Sequence, residues 1–167
     1  MSDSILNLVF QRIADSYQAQ VPYYEQMLGL AKKQTELLGK EDVDIEQLIR
    51  YINERQGLIE TLETLNKGIN QLKQEINETM GIEEFNLSRI KAKVSGSGVD
   101  ALTVALDRLG ELLTRIKELD AQNEEKLRRT IEQTRGKLND LQAAKKMNKA
   151  YQGEPRADGG VFIDFSK

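Results

Sequence analysis

The sequence predicts an all-α protein in which three long amphipathic helices form an antiparallel bundle or coiled coil. A short connector helix and an irregular C-terminal tail complete this fold. Three observations support it. Apolar residues recur at steps of three and four over long stretches, as on one face of a helix. The 167 residues include only two prolines. Charged residues make up 31% of the chain and aromatic residues 5%, which is typical of long helices rather than a thick globular core.

The first helix is predicted to begin near Asp3 and to end at Leu38, with Gly39 in the left-handed conformation. Pro22 lies inside the pattern and lacks a backbone donor, so we expect it to kink the helix or split it. The apolar stripe comprises Leu6, Val9, Ile13, Tyr17, Val21, Tyr24, Leu28, Ala31 and Leu38.

A short linker is predicted to turn the chain back, so that the second helix runs antiparallel to the first. This helix is predicted from Ile45 to about Met80 and is capped by Asp42 or Asp44, of which Asp44 has capping-box spacing with Gln47. Arg55 stands where an apolar residue would fall. It either extends into solvent along its stem or pairs with Glu25 or Glu36 of the first helix. The stripe comprises Ile45, Leu48, Ile52, Ile59, Leu62, Leu65, Ile69, Leu72, Ile76 and Met80.

Residues 82–98 are predicted to form a connector with one or two helical turns, capped by Asn86 or Ser88. The connector ends in Ser95-Gly96-Ser97-Gly98, which we interpret as a flexible helix breaker.

The third and longest helix is predicted from Val99 to about Met147 and contains no proline. Its stripe comprises Leu102, Leu106, Leu109, Leu113, Ile116, Leu127, Ile131, Leu138 and Leu141. Asp120 and Asn123 interrupt this stripe, and we expect packing on the first two helices to loosen there. The hairpin and this helix form one predicted domain, residues 1–148, followed by a tail, residues 149–167.

Composition excludes several classes of function. The net charge of −3 and a pI near 5.2 argue against binding to nucleic acid. No apolar run is long enough to insert into a membrane and no signal peptide is visible, so the expected location is the cytoplasm. The chain has neither histidine nor cysteine, and no metal-ligand or phosphate-loop pattern stands out. We therefore predict no enzyme activity, no metal and no cofactor.

The second half of the third helix is the predicted partner-binding site. This helix exceeds the first two by about four turns, so its end should overhang them. Residues 121–149 hold eight Lys or Arg and four Asp or Glu, although the chain is acidic overall. A solvated helix face with cations near its C-terminus explains that charge equally well. An uncovered apolar stripe marks an interface, and the predicted binding residues are Leu127, Ile131, Leu138, Leu141 and Met147.

Several stretches resemble the FlgN family of flagellar type III export chaperones, and the likeness covers nearly the whole chain. The early stretches are Tyr24-Glu25-Gln26-Met27-Leu28-Gly29-Leu30-Ala31-Lys32-Lys33-Gln34, Asp42-Val43-Asp44-Ile45-Glu46-Gln47-Leu48 and Ile52-Asn53-Glu54-Arg55-Gln56-Gly57-Leu58-Ile59. The later ones are Ala121-Gln122-Asn123-Glu124-Glu125-Lys126-Leu127 and Ala150-Tyr151-Gln152-Gly153.

The resemblance implies a cytoplasmic chaperone that binds the C-terminal helical regions of hook-associated (hook-filament junction) proteins. It also implies delivery of these proteins to the flagellar export apparatus. In the family the C-terminal amphipathic helix binds the substrate, which on this chain corresponds to the binding residues named above. The tail differs from the family in the apolar run Val161-Phe162-Ile163-Asp164-Phe165, which either assists binding or covers the site.

Two alternatives remain open from the sequence. The stripe could pair with a second copy of the chain, as in a structural coiled coil or a homodimer. Alternatively, the chain could be a chaperone of another flagellar or type III substrate.

Overall fold

The structure, a computed structural model, describes residues 3–147, with side chains described as far as Ala144. Four helices account for most of this range: α1 (Asp3–Leu38), α2 (Ile45–Met80), α3 (Leu87–Lys93) and α4 (Ser97–Met147). No strand occurs among the described residues. The all-helical class is therefore confirmed, whereas the packing of the three long helices into one bundle stays a prediction. The predicted tail, including Val161–Phe165, lies outside the described residues.

Side chains and glycine fix the helix ends largely as the sequence predicts. The backbone N–H of Gln47 donates to Oδ1 of Asp44 at 3.1 Å, which caps α2. Gly81 follows the last residue of α2, and its φ of 66° is left-handed and suits glycine. Asn86 caps α3 by accepting a hydrogen bond from the backbone N–H of Arg89.

Two local expectations for α1 have different outcomes. The helix is continuous through Pro22, so the split is wrong, whereas the kink stays a prediction. Gly39 follows the end of α1, but its φ is not positive and it does not adopt the left-handed conformation. Its N–H instead donates to the carbonyl oxygens of Thr35 at 3.1 Å and Glu36 at 3.2 Å. The helix therefore ends in hydrogen bonds that any residue can make.

The residues group into two compact units, and the three long helices contribute to both. Unit 1 comprises Met1–Gly29 and Glu54–Arg115, and unit 2 comprises Leu30–Asn53 and Ile116–Lys167. The predicted single domain over residues 1–148 stays a prediction.

In unit 1, α1 and α2 run in opposite directions. Gln20 donates to Asn66 at 2.7 Å, whereas the earlier Tyr17 lies under the ammonium group of the later Lys73. Tyr17 and Tyr24 are buried, as core packing predicts, and this burial raises the pKa of the Tyr24 hydroxyl.

The beginning of α4 is fixed to α1 by the side chain of Asn7. Its Oδ1 accepts from the backbone N–H groups of Gly98 at 3.0 Å and Val99 at 3.3 Å. Its Nδ2 donates to the carbonyl oxygen of Ser95 at 3.0 Å. A Cβ atom at Gly98 would overlap the backbone oxygen of Asn7, so this close approach requires glycine. The Ser-Gly run thus separates α3 from α4, as expected of a helix breaker, but its hydrogen bonds to Asn7 make it an ordered junction rather than a flexible one.

The buried faces of α2 and α4 differ in detail from the predicted stripes. On α4 the fully buried positions include Ala105 and Leu112, whereas Leu106 and Leu113 are only partly buried. Arg55 is only 4% exposed, so the alternative in which it extends into solvent is wrong. Glu25, one of the two partners suggested for Arg55, pairs with Arg108 at 2.9 Å.

Candidate protein-docking surface

The core of unit 2 holds the ends of α1 and α2 against the middle of α4. Its buried members are Leu37, Leu38, Leu48, Ile52 and Leu127, and Val43, Tyr51 and Ile131 pack against them while remaining partly exposed. We call this set the unit 2 cluster. The cluster forms because α1 ends at Leu38 and α2 begins at Ile45, so the apolar faces on either side of the linker meet α4 at one level.

Asn123 strengthens the packing of α4 at the position where we expected that packing to loosen. Its side chain is fully buried, and its Nδ2 donates to the carbonyl oxygen of Ala31 at 3.0 Å. Its Oδ1 accepts a hydrogen bond from the hydroxyl of Thr35 at 2.7 Å. A buried amide with both ends satisfied fixes the register between two helices rather than disturbing it. The expectation of loosening at Asn123 is therefore wrong.

The apolar face of α4 becomes uncovered about one turn later. From residue 132 to residue 144 every side chain is exposed except that of Gln142, which is half-buried. Leu138 is 38% exposed and Leu141 49% exposed. These leucines follow Leu127 and Ile131 at helical spacing and continue the face that packs on the unit 2 cluster. We call this pair the α4 stripe.

The five predicted binding residues thus lie in different environments. Leu127 is 8% exposed and belongs to the core, so the expectation that it has fewer internal partners than the first half of the helix is wrong. Ile131 lies at the edge of the cluster. Only Leu138 and Leu141 are available to a partner without rearrangement, and the side chain of Met147 lies outside the described residues. Leu127 is buried because α1 and α2 cover α4 beyond Asp120, the residue at which the sequence predicts that their packing loosens.

Some of the basic residues of α4 are paired within the helix. Arg128 donates to Glu125 at 2.7 Å and to Glu132 at 3.1 Å, and Arg129 donates to Glu125 at 3.1 Å. The hydrogen bonds from Arg128 hold the pKa of the Glu125 carboxyl below its ordinary value. In return, Glu125 raises the pKa of Arg128. These four side chains make a solvated network on the helix surface, which supports the interpretation of their charge as an ordinary solvated face.

Two further cations lie beside the α4 stripe. Arg135 precedes Leu138 by three residues and Lys137 precedes Leu141 by four, so each is a neighbour of a stripe leucine on the helix surface. Both side chains are exposed. Asp140 projects from the opposite side of the helix. A cationic side chain therefore lies along each edge of the α4 stripe.

Unit 2 has a second exposed apolar pair, which the predicted stripes do not distinguish. Ile45 is 50% exposed and Ile49 is 49% exposed. The apolar period of α2 predicts that Ile45 is buried, which is wrong because α4 contacts the neighbouring face carrying Leu48 and Ile52. The sequence did hold a signal, since two isoleucines four residues apart beside the stripe form a second apolar row.

Neither a group of metal-ligating side chains nor a membrane-spanning helix occurs among the described residues. Among residues 3–147, no three carboxylates are grouped so that they could hold a metal ion. Within that range no helix is both long and apolar enough to cross a membrane. The fold and the surface define a helical protein whose candidate site is an exposed apolar helix face with charged edges.

The sequence matches the family model described as FlgN protein over residues 1–158. The chain therefore belongs to the FlgN family, and it is a flagellar export chaperone. Chaperones of this family bind flagellar hook-associated proteins. No curated protein and no solved structure matches the sequence.

Proposed function

We propose that this chaperone binds the C-terminal helical regions of hook-associated proteins through the α4 stripe and delivers them to the flagellar export apparatus. The observation that carries this proposal is the exposure of Leu138 and Leu141 on a helix face whose preceding turns are buried. In this proposal binding takes place in the cytoplasm, before export.

The physical argument is that one apolar face of α4 is packed against other helices along only part of its length. Over Asn123, Leu127 and Ile131 the same face packs against α1 and α2, and beyond Ile131 it has no such cover among the described residues. A helix placed along Leu138 and Leu141 would continue that packing and remove both leucines from water. Such helix-in-groove docking is a common way to hold an amphipathic segment.

The five predicted residues have different roles in this proposal. Leu138 and Leu141 contact the partner, and Ile131 contacts it at the inner end of the surface. Leu127 acts through the core by holding α4 against Leu48 and Ile52. Met147 remains a predicted contact from the sequence.

A double substitution tests the site. In Leu138→Asp/Leu141→Asp, two carboxylates replace exposed leucines, so the fold should persist while apolar docking is lost. Co-purification with the C-terminal region of a hook-associated protein should disappear while the circular dichroism spectrum stays helical. Val104→Asp is the matched control, because Val104 is 62% exposed on the same helix but lies in unit 1.

Two results would contradict the proposal. Unchanged co-purification by the double variant would exclude the α4 stripe as the docking site. A tight dimer in sedimentation equilibrium, abolished by the same double substitution, would instead favour a second copy of the chain as the occupant of the stripe.

A further inference from the structure

We propose that Ile45 and Ile49 of α2 form the second half of the docking surface, and that one partner helix contacts both this pair and the α4 stripe. This inference rests on the proposed function, since it concerns the same partner. It adds a binding contribution from α2 and specifies the charge pattern of the partner helix.

The first argument is the position of the two isoleucines. They are four residues apart and therefore share one face of α2. Each is about half exposed, although the helix turn that carries them also contributes Leu48 to the unit 2 cluster. Large apolar side chains grouped at the rim of a packed core are characteristic of an interaction site.

The second argument is continuity between the two exposed pairs. Leu48 lies between Ile45 and Ile49 in sequence and is in the unit 2 cluster. Ile131, which packs on the same cluster, precedes the α4 stripe. The rise of α4 from Ile131 to Leu141 is about 15 Å. A partner helix of three or four turns is therefore long enough to cover the α4 stripe and reach α2.

The third argument is charge. Arg135 and Lys137 lie beside the α4 stripe, whereas on α2 the exposed Glu46 precedes Ile49 by three residues and is therefore its neighbour on the helix surface. The surface thus has a cationic side and an anionic side with apolar residues on each. Its chemical complement is an amphipathic helix with an acidic edge toward α4 and a basic edge toward α2.

The same charges argue against self-pairing of the α4 stripe. Because cations lie on both of its edges, pairing two stripes would place Arg135 and Lys137 of one copy near those of the other. Cations brought close together in this way repel each other. The favoured occupant is therefore a helix of a different chain.

The absence of cysteine makes a direct test possible. Ile49→Cys and Val104→Cys each introduce one thiol at an exposed position of the full-length chain. The alkylation rate of each thiol is measured with and without the C-terminal helical region of a hook-associated protein. At a concentration ten times the Kd, alkylation of the thiol at position 49 should slow by about ten-fold. The rate at position 104 should not change.

The outcomes separate this inference from the proposed function. Protection at position 49 but not at position 104 supports the inference. If the partner binds, and binding is lost in Leu138→Asp/Leu141→Asp, while the thiol at position 49 remains unprotected, the inference fails and the proposed function stands. Protection at position 49 caused only by raising the concentration of the chaperone itself would overturn the choice of occupant in favour of a second copy.

A charge reversal provides an independent measurement. Glu46→Lys leaves the apolar residues in place but reverses the charge beside Ile49, so the Kd for the partner should rise by about three- to ten-fold at low salt. High salt should reduce the difference between the variant and the unchanged chain. An unchanged Kd at low salt would exclude the basic edge assigned to the partner helix.

Discussion

Two consecutive stretches of α4 in unit 2 share one apolar pattern but have opposite environments. Over residues 116–131 the face carrying Ile116, Asn123 and Leu127 is buried. Over residues 132–144 the same face carries Leu138 and Leu141, and both are exposed. The periodicity of a helix therefore identifies its apolar face, whereas the positions at which its neighbours end decide how much of that face is covered.

This difference separates stabilising residues from residues available for binding. Leucines in the covered stretch should contribute to the free energy of unfolding, and those in the uncovered stretch should contribute to partner affinity. Substitutions matched in chemistry but placed in different environments test this separation.

The largest contrast is expected between Leu127→Ala and Leu138→Ala. Truncation at the buried position removes contacts in the unit 2 cluster and should lower the free energy of unfolding by about 2–4 kcal/mol. Truncation at the exposed position should change it by less than about 0.5 kcal/mol. Urea denaturation followed by circular dichroism measures both values. Equal losses would mean that the uncovered stretch packs within the chain after all.

The next contrast concerns glycine near the two ends of α4. Gly98→Ala would place a Cβ atom against the backbone of Asn7 and should destabilise the chain by about 1–3 kcal/mol. Gly136→Ala meets no atom within 4 Å and should stabilise the helix by up to about 1 kcal/mol. Thermal unfolding of the two variants checks the opposite signs. A neutral Gly98→Ala would show that the junction with α1 is loose.

The buried amide of Asn123 should have a smaller effect. Asn123→Ala removes two hydrogen bonds from the covered stretch and should cost about 1–2 kcal/mol of unfolding free energy. A double-mutant cycle with Thr35→Val isolates the bond between the Thr35 hydroxyl and the Asn123 amide, and a positive coupling energy is expected. Strict additivity of the two substitutions would indicate that these side chains do not interact in solution.

The sequence predicted the helices better than their contacts. Helix type and most boundaries follow from local signals, such as the apolar period of α2 and the capping side chains Asp44 and Asn86. The ordered junction at Gly98 could not be predicted in this way. It depends on Asn7, which lies ninety-one residues earlier and has no local signature.

The candidate site was only partly predictable for the same reason. The pattern identified Leu138 and Leu141, but it also included Leu127, which α1 and α2 bury. The polarity of Asn123 interrupts the stripe and so predicts a break in packing. A polar residue on an apolar face can equally be a satisfied buried group, and that depends on Thr35 and Ala31 of another helix.

The smallest predicted effect is a pH dependence at the surface of α4. Arg128 lowers the pKa of Glu125 in the folded chain, so the stabilisation from this pair is present above the pKa that glutamate has in the unfolded chain. It is lost as the pH falls through the lowered pKa that Glu125 has in the folded chain. Because both side chains are exposed, salt should weaken the effect. A carboxyl titration by NMR should show the pKa of Glu125 rising toward its ordinary value in Arg128→Gln. If it does not move, the network is absent in solution, and the two cations at positions 128 and 129 would join Arg135 and Lys137 as charges available to a partner.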